Sequence, residues 1–197
     1  MRYDADHKKR TRDRVLSLAA RQVREKGAGS IGVAAIMAEA GLTHGGFYAH
    51  FESKDVFLEA VVERMLDESP VKMLDGGGMG DPARMLRDFV DYYLSAGHRD
   101  TLTSGCPLPF LASEARRLGK GLSLRLARGV ARMTVLVAGH LRAMRHPNPD
   151  GTATSCVSEI IGAMVLSRAE PDLERSDTIL QASRISVVRR LGLDPKQ

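Results

Sequence analysis

The chain has 197 residues, 43% hydrophobic and 27% charged, a balance that excludes disorder as the main state and suits one domain or a small pair. No apolar stretch, Met133 to Gly139 among them, is longer than eight residues, whereas a membrane-spanning helix needs roughly 20. Lys and Arg outnumber Asp and Glu by 29 to 24, and residues 1–54 hold 10 of the basic and 6 of the acidic side chains, which leaves 19 against 18 for the rest. Such asymmetry points to a polyanion-binding module joined to a nearly neutral body, or else to a solvated basic face.

Met1 to His7 is polar with no apolar block behind it, which predicts no secretory signal and a cytoplasmic protein. Two cysteines, Cys106 and Cys156, lack CxxC or Cys/His ligand spacing, so neither a disulfide framework nor a metal site is expected, and no cofactor.

In chain order, Val15, Leu18, Ala19 and Val23 repeat at helical spacing and predict a first helix over roughly 9–26, stopped by Gly27. Val33 to Ala40 predicts a second, ended by Gly41, a residue that takes the left-handed conformation without steric cost. Thr43 is a cap for a short helix from His44 to Phe51, and Ser53 for a fourth running to about Ser69, with Phe57, Val61, Met65 and Leu66 on one face. Asp75 to Pro82 (DGGGMGDP) is a flexible break near a domain hinge. Beyond it come a helix from Ala83 to Ala96, a loop through Gly105 and a short helix near Pro107. A long helix follows, with Leu122, Leu126, Val130, Met133, Val137, Leu141 and Met144 as its stripe and Arg125, Arg128, Arg132 and Arg142 away from it. After HPNPDG (146–151), Ala153, Cys156, Val157, Ile160, Ile161, Met164 and Val165 mark another helix, ended by Pro171. Ser176 is the expected cap of the last, which carries Leu180, Val187, Val188 and Leu191. The fold class is all-α with about nine helices: residues 1–54 form a helix-turn-helix domain continuing into a connecting helix over 54–69, and residues 70–197 form a second helical domain.

Helix, short helix, glycine-containing turn and short polar-fronted helix is the order a helix-turn-helix needs to put its second short helix into a major groove. Small or hydrogen-bonding residues, His44, Gly45 and Gly46, open that helix and permit close approach to base edges. Phe47 and Phe51, four apart, are expected to anchor it inward. That leaves Tyr48 and His50 outward, within reach of phosphate oxygens, and puts the Lys54 cation at a helix N-terminus.

The segment Thr11 to Val61, above all AGLTHGGFYAHFESKDVFLEAV from Ala40 to Val61, resembles the DNA-binding domain of the TetR family of bacterial transcriptional regulators. The resemblance implies a homodimer with an N-terminal helix-turn-helix on each subunit and a divergent C-terminal domain that dimerises and binds a small effector. It implies that Thr43, His44, Gly45 and Gly46 face bases and that Tyr48, His50 and Lys54 hold phosphates. The basic arm, Lys8, Lys9, Arg10 and Arg12, joins the phosphate set. Two positions depart from the family pattern: Gly32 stands where a Ser or Thr commonly caps the second helix and touches phosphate, a contact left to Ser30, and Gly46 replaces a commonly larger residue. GCPLPFLASEA, from Gly105, resembles a subset of members.

The C-terminal expectations are coarser. Phe89, Tyr92, Tyr93, Cys106, Phe110, Met133 and His140 are candidates for lining an apolar effector pocket. His140 also reads as a hydrogen-bonded core histidine, and Cys106 as either a helix-N-terminal thiolate or inert packing. Val157, Ile160, Ile161, Met164, Val165, Leu180, Val187 and Val188 are the expected dimer seam, in a four-helix bundle of the last two helices with their symmetry mates. The function this implies is a ligand-responsive repressor that binds a palindromic operator as a homodimer, with duplex DNA and a small-molecule effector as partners and no enzymatic activity. The alternatives are a thiol-dependent redox protein using Cys106 and a plain helical interaction module. Neither accounts for the basic helix-turn-helix, and GGGMGD lacks the Lys-Ser/Thr of a phosphate-binding loop.

Overall fold

The computed structural model describes residues 2–27, 29, 31–76, 80–101 and 103–194. Among them are nine α-helices: α1 (Arg2–Lys26), α2 (Val33–Glu39), α3 (Lys54–Asp67), α4 (Pro82–Tyr93), α5 (Ala96–Asp100), α6 (Leu108–Leu111), α7 (Lys120–Ala143), α8 (Pro149–Ala169) and α9 (Leu173–Arg190). Three 3-10 segments, His44–Ala49, Pro70–Leu74 and Ala112–Glu114, join them. No strand occurs among the described residues.

Local chemistry sets most boundaries. Ser53 Oγ accepts from Val56 N at 3.2 Å at the start of α3, and Asn148 Oδ1 accepts from Gly151 N at 3.2 Å at the start of α8. Asp81 caps α4, where Pro82 occupies the first turn and loses no hydrogen bond. The cap of α9 is Asp172, whose carboxylate accepts from Glu174 N and Arg175 N. This corrects the expectation for Ser176, which lies one turn inside the helix, buried, and donates to Ser167 O at 2.6 Å. Asp172 wins because its carboxylate satisfies two otherwise orphaned N–H groups. Two further boundaries differ from expectation. Helix α1 begins at Arg2 rather than near residue 9, so the basic arm is helical. The loop after Tyr93 contains the single turn α5, capped by Ser95.

The core is continuous across both halves. Val15, Ala19 and Val23 of α1, Phe57, Val61 and Met65 of α3, Leu86 and Phe89 of α4, Leu126 and Met133 of α7, and Ile160 and Met164 of α8 belong to one buried cluster. The connecting helix α3 packs on α1 on one side and on α7 on the other. Arg125 pairs with Glu59 and Glu63, and Arg132 with Asp67 and Asp75. A Cβ on Gly129 would lie 2.6 Å from Leu66 Cδ2, so glycine is what lets α7 close on α3 at that level. Arg24 ties the head to the body a second time, reaching Glu68 at 3.2 Å and Thr103 O at 3.3 Å.

Candidate nucleic-acid interface

Gly41, at φ +71°, makes the turn between the two short helices, and Leu42 N returns to Met37 O at 2.8 Å. Thr43 then accepts from Gly46 N at 3.3 Å through Oγ1 and starts the His44–Ala49 segment. This element is a 3-10 helix, whose tighter winding keeps one side against the protein over six residues.

That side is aromatic. Phe47, Phe51 and Phe57 are buried and meet pairwise with ring centroids 4.7 to 5.4 Å apart, the edge-on and tilted contacts that aromatic quadrupoles favour. The Arg12 guanidinium sits 4.3 Å above the Phe51 ring and donates to the His50 carbonyl. Held this way, the segment presents Thr43, His44, Gly45, Tyr48 and Ala49 to solvent, with Gly46 half-buried. Tyr48 is 66% exposed, large for an aromatic side chain on a folded domain, and the His44 ring stands edge-on to it at 6.3 Å. Lys54 is exposed in the first turn of α3.

Gly45 and Gly46 bear on what this face meets. A Cβ on Gly45 would have nothing within 4 Å, and one on Gly46 would make only ordinary contacts, 3.6 Å to Thr43 Oγ1 and 3.8 Å to Met37 Cε. Neither has a positive φ. Nothing within the chain requires glycine at either position.

The phosphate candidates divide. Lys8, Lys9 and Arg10 are exposed on α1, while Arg12 is half-buried against Phe51. His50 is half-buried, and burial first, then the charges of Lys8, Arg12 and His7, pull its pKa below the usual 6.5. Gly32 caps α2 with backbone only. Ser30 lies outside the described residues.

In the body, Phe89, Tyr93, Cys106 and Met133 are packed into the core rather than gathered around a cavity. Tyr92 is 44% exposed and stacks on the His98 ring, and Phe110 is half-buried against the core. His98 Nδ1 lies 2.8 Å from Tyr93 O, and its Nε2 accepts from Cys106 N at 3.3 Å. The Cys106 thiol is fully buried, and that burial raises its pKa against the smaller opposing influence of the Tyr93 hydroxyl beside it. Desolvation therefore outweighs the helix-terminus effect expected to lower it. Of the pocket candidates, His140 borders a cleft of about 460 Å3 between α4 and α7, shared with Leu74, Met85, Val135 and Leu136, and Tyr92 a smaller one of about 310 Å3 beside Pro70 and Met73. The His140 Nε2 meets Leu74 O at 2.9 Å.

The expected dimer seam divides as well. Val157, Ile160, Met164, Leu180, Val187 and Val188 are taken up by the chain's own core. Ile161 is half-buried and Val165 is 41% exposed. The apolar side chains that α8 and α9 leave open also include Leu166, 60% exposed, and Ile185, 48% exposed. Periodicity shows that α8 is apolar nearly all round but not which side the chain itself covers. The α3 to α7 ion pairs escape a reading of the sequence alone, although Glu59, Glu63 and Asp67 at helical spacing opposite Arg125 and Arg132 carry the signal.

Comparison with known proteins adds to this geometry. The family described as bacterial regulatory proteins, tetR family, matches residues 15–61. No curated protein matches the chain. Among solved structures, NemR of E. coli in its reduced form superposes with a TM-score of 0.77 at 20% identity, covering 91% of this chain and 95% of that one. A TetR transcriptional regulator from Chloroflexus aurantiacus gives 0.75 at 21% identity, covering 95% and 96%. A TetR-family regulator from Agrobacterium tumefaciens gives 0.74 at 19%, covering 91% and 98%. No helix among the described residues is long and apolar enough to cross a membrane. Residues 15–61 thus match the tetR family of bacterial regulatory proteins, and the described residues share the all-helical fold of these solved structures.

Proposed function

We propose that this protein is a cytoplasmic, non-enzymatic repressor that binds a palindromic operator as a homodimer and leaves it when a small molecule binds the C-terminal body. The observation that carries the reading is the exposed face of residues 43–49. Its glycines are free of any internal requirement, and its one large aromatic is left in solvent beside a histidine. Close backbone approach and hydrogen-bonding side chains are what a major-groove reader needs. Thr43, His44, Gly45 and Gly46 face base edges in this reading. Tyr48, His50, Lys54 and the exposed Lys8, Lys9 and Arg10 hold the backbone.

The homodimer is assigned to α8 and α9, whose solvent sides carry Ser158, Gly162, Val165, Leu166 and Ala169, and Thr178, Gln181, Ala182 and Ile185, with the charges of Glu174, Arg175, Asp177 and Arg189 toward the two ends of α9. An uncharged middle with Val165, Leu166 and Ile185 in solvent suits burial against its own copy. The effector site we assign is the cleft beside His140, whose size and apolar lining fit a small molecule. Helix α7 links that cleft to α3 through Arg125 and Arg132, so a ligand that prefers one setting of α7 shifts the spacing of the two reading heads. In vitro selection from random duplexes, followed by footprinting, tests the proposal. Two symmetric half-sites with centres roughly 34 to 36 Å apart, or a further whole turn, are expected. A single asymmetric half-site, or no enriched sequence, refutes it.

A further inference from the structure

Between Glu114 and Asp150 the chain has no acidic residue, yet it carries Arg116, Arg117, Lys120, Arg125, Arg128, Arg132, Arg142 and Arg145. The body as a whole is nearly neutral, so these cations are concentrated on one segment. The fold accounts for three of them: Arg125 and Arg132 pair with the α3 carboxylates, and Arg142 with Asp150. Arg116, Arg117 and Lys120 are exposed and make no ion pair among the described residues. Lys120 is moreover in the first turn of α7, where the helix dipole disfavours a cation, and Gly119 before it contributes no side-chain cap. The protein's own stability gains nothing from this placement.

Where the three residues lie decides what they fit. Arg125 pairs with Glu59 and Glu63, and Arg132, seven residues on, pairs with Asp67, so α7 runs in the same direction as α3. The start of α7 is therefore level with the start of α3, the end that holds Ser53 and Lys54. A Cβ on Gly121 would collide with Glu59 Oε1, so the Glu59 side chain reaches across to the first turn of α7. Glu59 is five residues beyond Lys54, about 7.5 Å along the axis. Arg12 of the basic arm, Val56, Glu59 and Arg125 line one groove, so α1, α3 and α7 converge at this end.

We propose that Arg116, Arg117 and Lys120 form a second phosphate-binding surface, on the body rather than in the helix-turn-helix, that takes duplex backbone next to the base-reading element. The inference rests on the DNA-binding reading and extends its footprint. These cations contact phosphates only, so they add affinity and salt dependence without sequence preference.

The test uses the full-length protein and a duplex of about 40 base pairs recovered by selection on wild type. The triple variant Arg116→Gln, Arg117→Gln, Lys120→Gln is compared with Arg84→Gln, Arg142→Gln, Arg145→Gln. The second set removes the same charge from exposed positions around the far end of α7, roughly 30 Å away. Affinity is measured from about 50 to 200 mM salt. For the first variant the log–log slope is expected to shrink by about 0.9 for each phosphate no longer neutralised, hence by about 2 to 5 for a dimer, with base preference and thermal melting unchanged. The control set is expected to keep the wild-type slope. If wild type binds and the first variant keeps its slope, or both variants lose slope equally, the proposal is overturned while the DNA-binding reading stands. Loss of binding to phosphatidylserine vesicles with an unchanged DNA slope overturns it too, in favour of a membrane surface. Should the triple variant melt early, Lys120→Gln alone, expected to lose about 1 to 2 units of slope per dimer, decides the matter. Failure of wild type to bind any selected duplex removes the reading beneath both.

Discussion

In the head, the stretch from His44 to Phe51 divides its side chains between two environments: Phe47 and Phe51 enter the core while His44 and Tyr48 stay in solvent. In the body, Phe89, Tyr93, His98 and Cys106 all turn inward, and the His98 ring bonds the Tyr93 carbonyl and the Cys106 N–H. A residue type that implies contact with a partner in one region therefore implies internal packing in the other. What separates the two is context that a local pattern carries only in the head. The eight residues from His44 to Phe51, with two phenylalanines facing in, leave His44 and Tyr48 only the outward side. A 24-residue helix such as α7 has neighbours on several sides, and its sequence does not say which side a ligand or a second copy takes.

The sharpest way to break this comparison is to exchange the roles of neighbours. Phe47→Ala is expected to cost about 3 to 5 kcal/mol of stability, because the buried ring leaves a cavity among Phe51 and Phe57. Tyr48→Ala, one residue on, is expected to change stability by no more than about 0.5 kcal/mol and to weaken DNA binding instead. Chemical melts and gel shifts on both variants check this; equal destabilisation would mean that Tyr48 packs on the head.

The body offers a counterpart test on α8 and α9. Leu166→Glu with Ile185→Glu places charges at positions already exposed in one chain, so each subunit should fold with an unchanged melt in its monomeric form. Buried against a second copy, those unpaired carboxylates are expected to cost several kcal/mol and give monomers in sedimentation at micromolar concentration. A persistent dimer would move the interface off this face.

Cys106 is the body residue for which the sequence offers two opposed readings. Full burial and a raised pKa keep it a neutral thiol. Labelling of the folded protein by a disulfide reagent at pH 8 is expected to run at least about a hundredfold slower than after unfolding, because it must wait for local opening. Rapid labelling without loss of helix content would restore the reactive reading.

These outcomes bear on how much of the fold is legible in the sequence. Caps and turn residues define the head: Gly41, Thr43 and Ser53 all act as their side chains dictate. The stripe on α7 from Leu122 to Leu141 is equally plain, since helical period alone defines it. The cleft beside His140 is not, because Met85, Leu136 and Leu74 come from three separate elements. Nor is the open face of α8, where Leu166 follows Val165 into solvent while Met164 and Ile160 go inside. Tertiary packing alone decides between such neighbours.

The smallest expected effect concerns His50, the head residue closest to the body's pattern of burial. In the free protein burial and nearby cations lower its pKa below 6.5, so it is neutral at pH 7. The unfolded chain then binds the proton more readily than the folded one. His50 accordingly contributes stability that is present above pH 6.5 and is lost as pH falls toward its depressed folded value. A phosphate against the imidazole acts in the opposite direction, favouring the charged form and raising the pKa in the complex. DNA binding then takes up a proton at each His50, and affinity rises as pH falls through the window between the two values, by up to about tenfold per pH unit for each site. The free protein should thus grow less stable in the same range where its complex grows tighter. The head also holds His7 and His44, so the measured quantity is the difference between wild type and His50→Asn in gel shifts from about pH 7.5 to 5.5. A flatter pH profile for the variant supports phosphate contact by His50. Identical profiles would mean that its ring serves the head from within, beside the carbonyl that already holds Arg12.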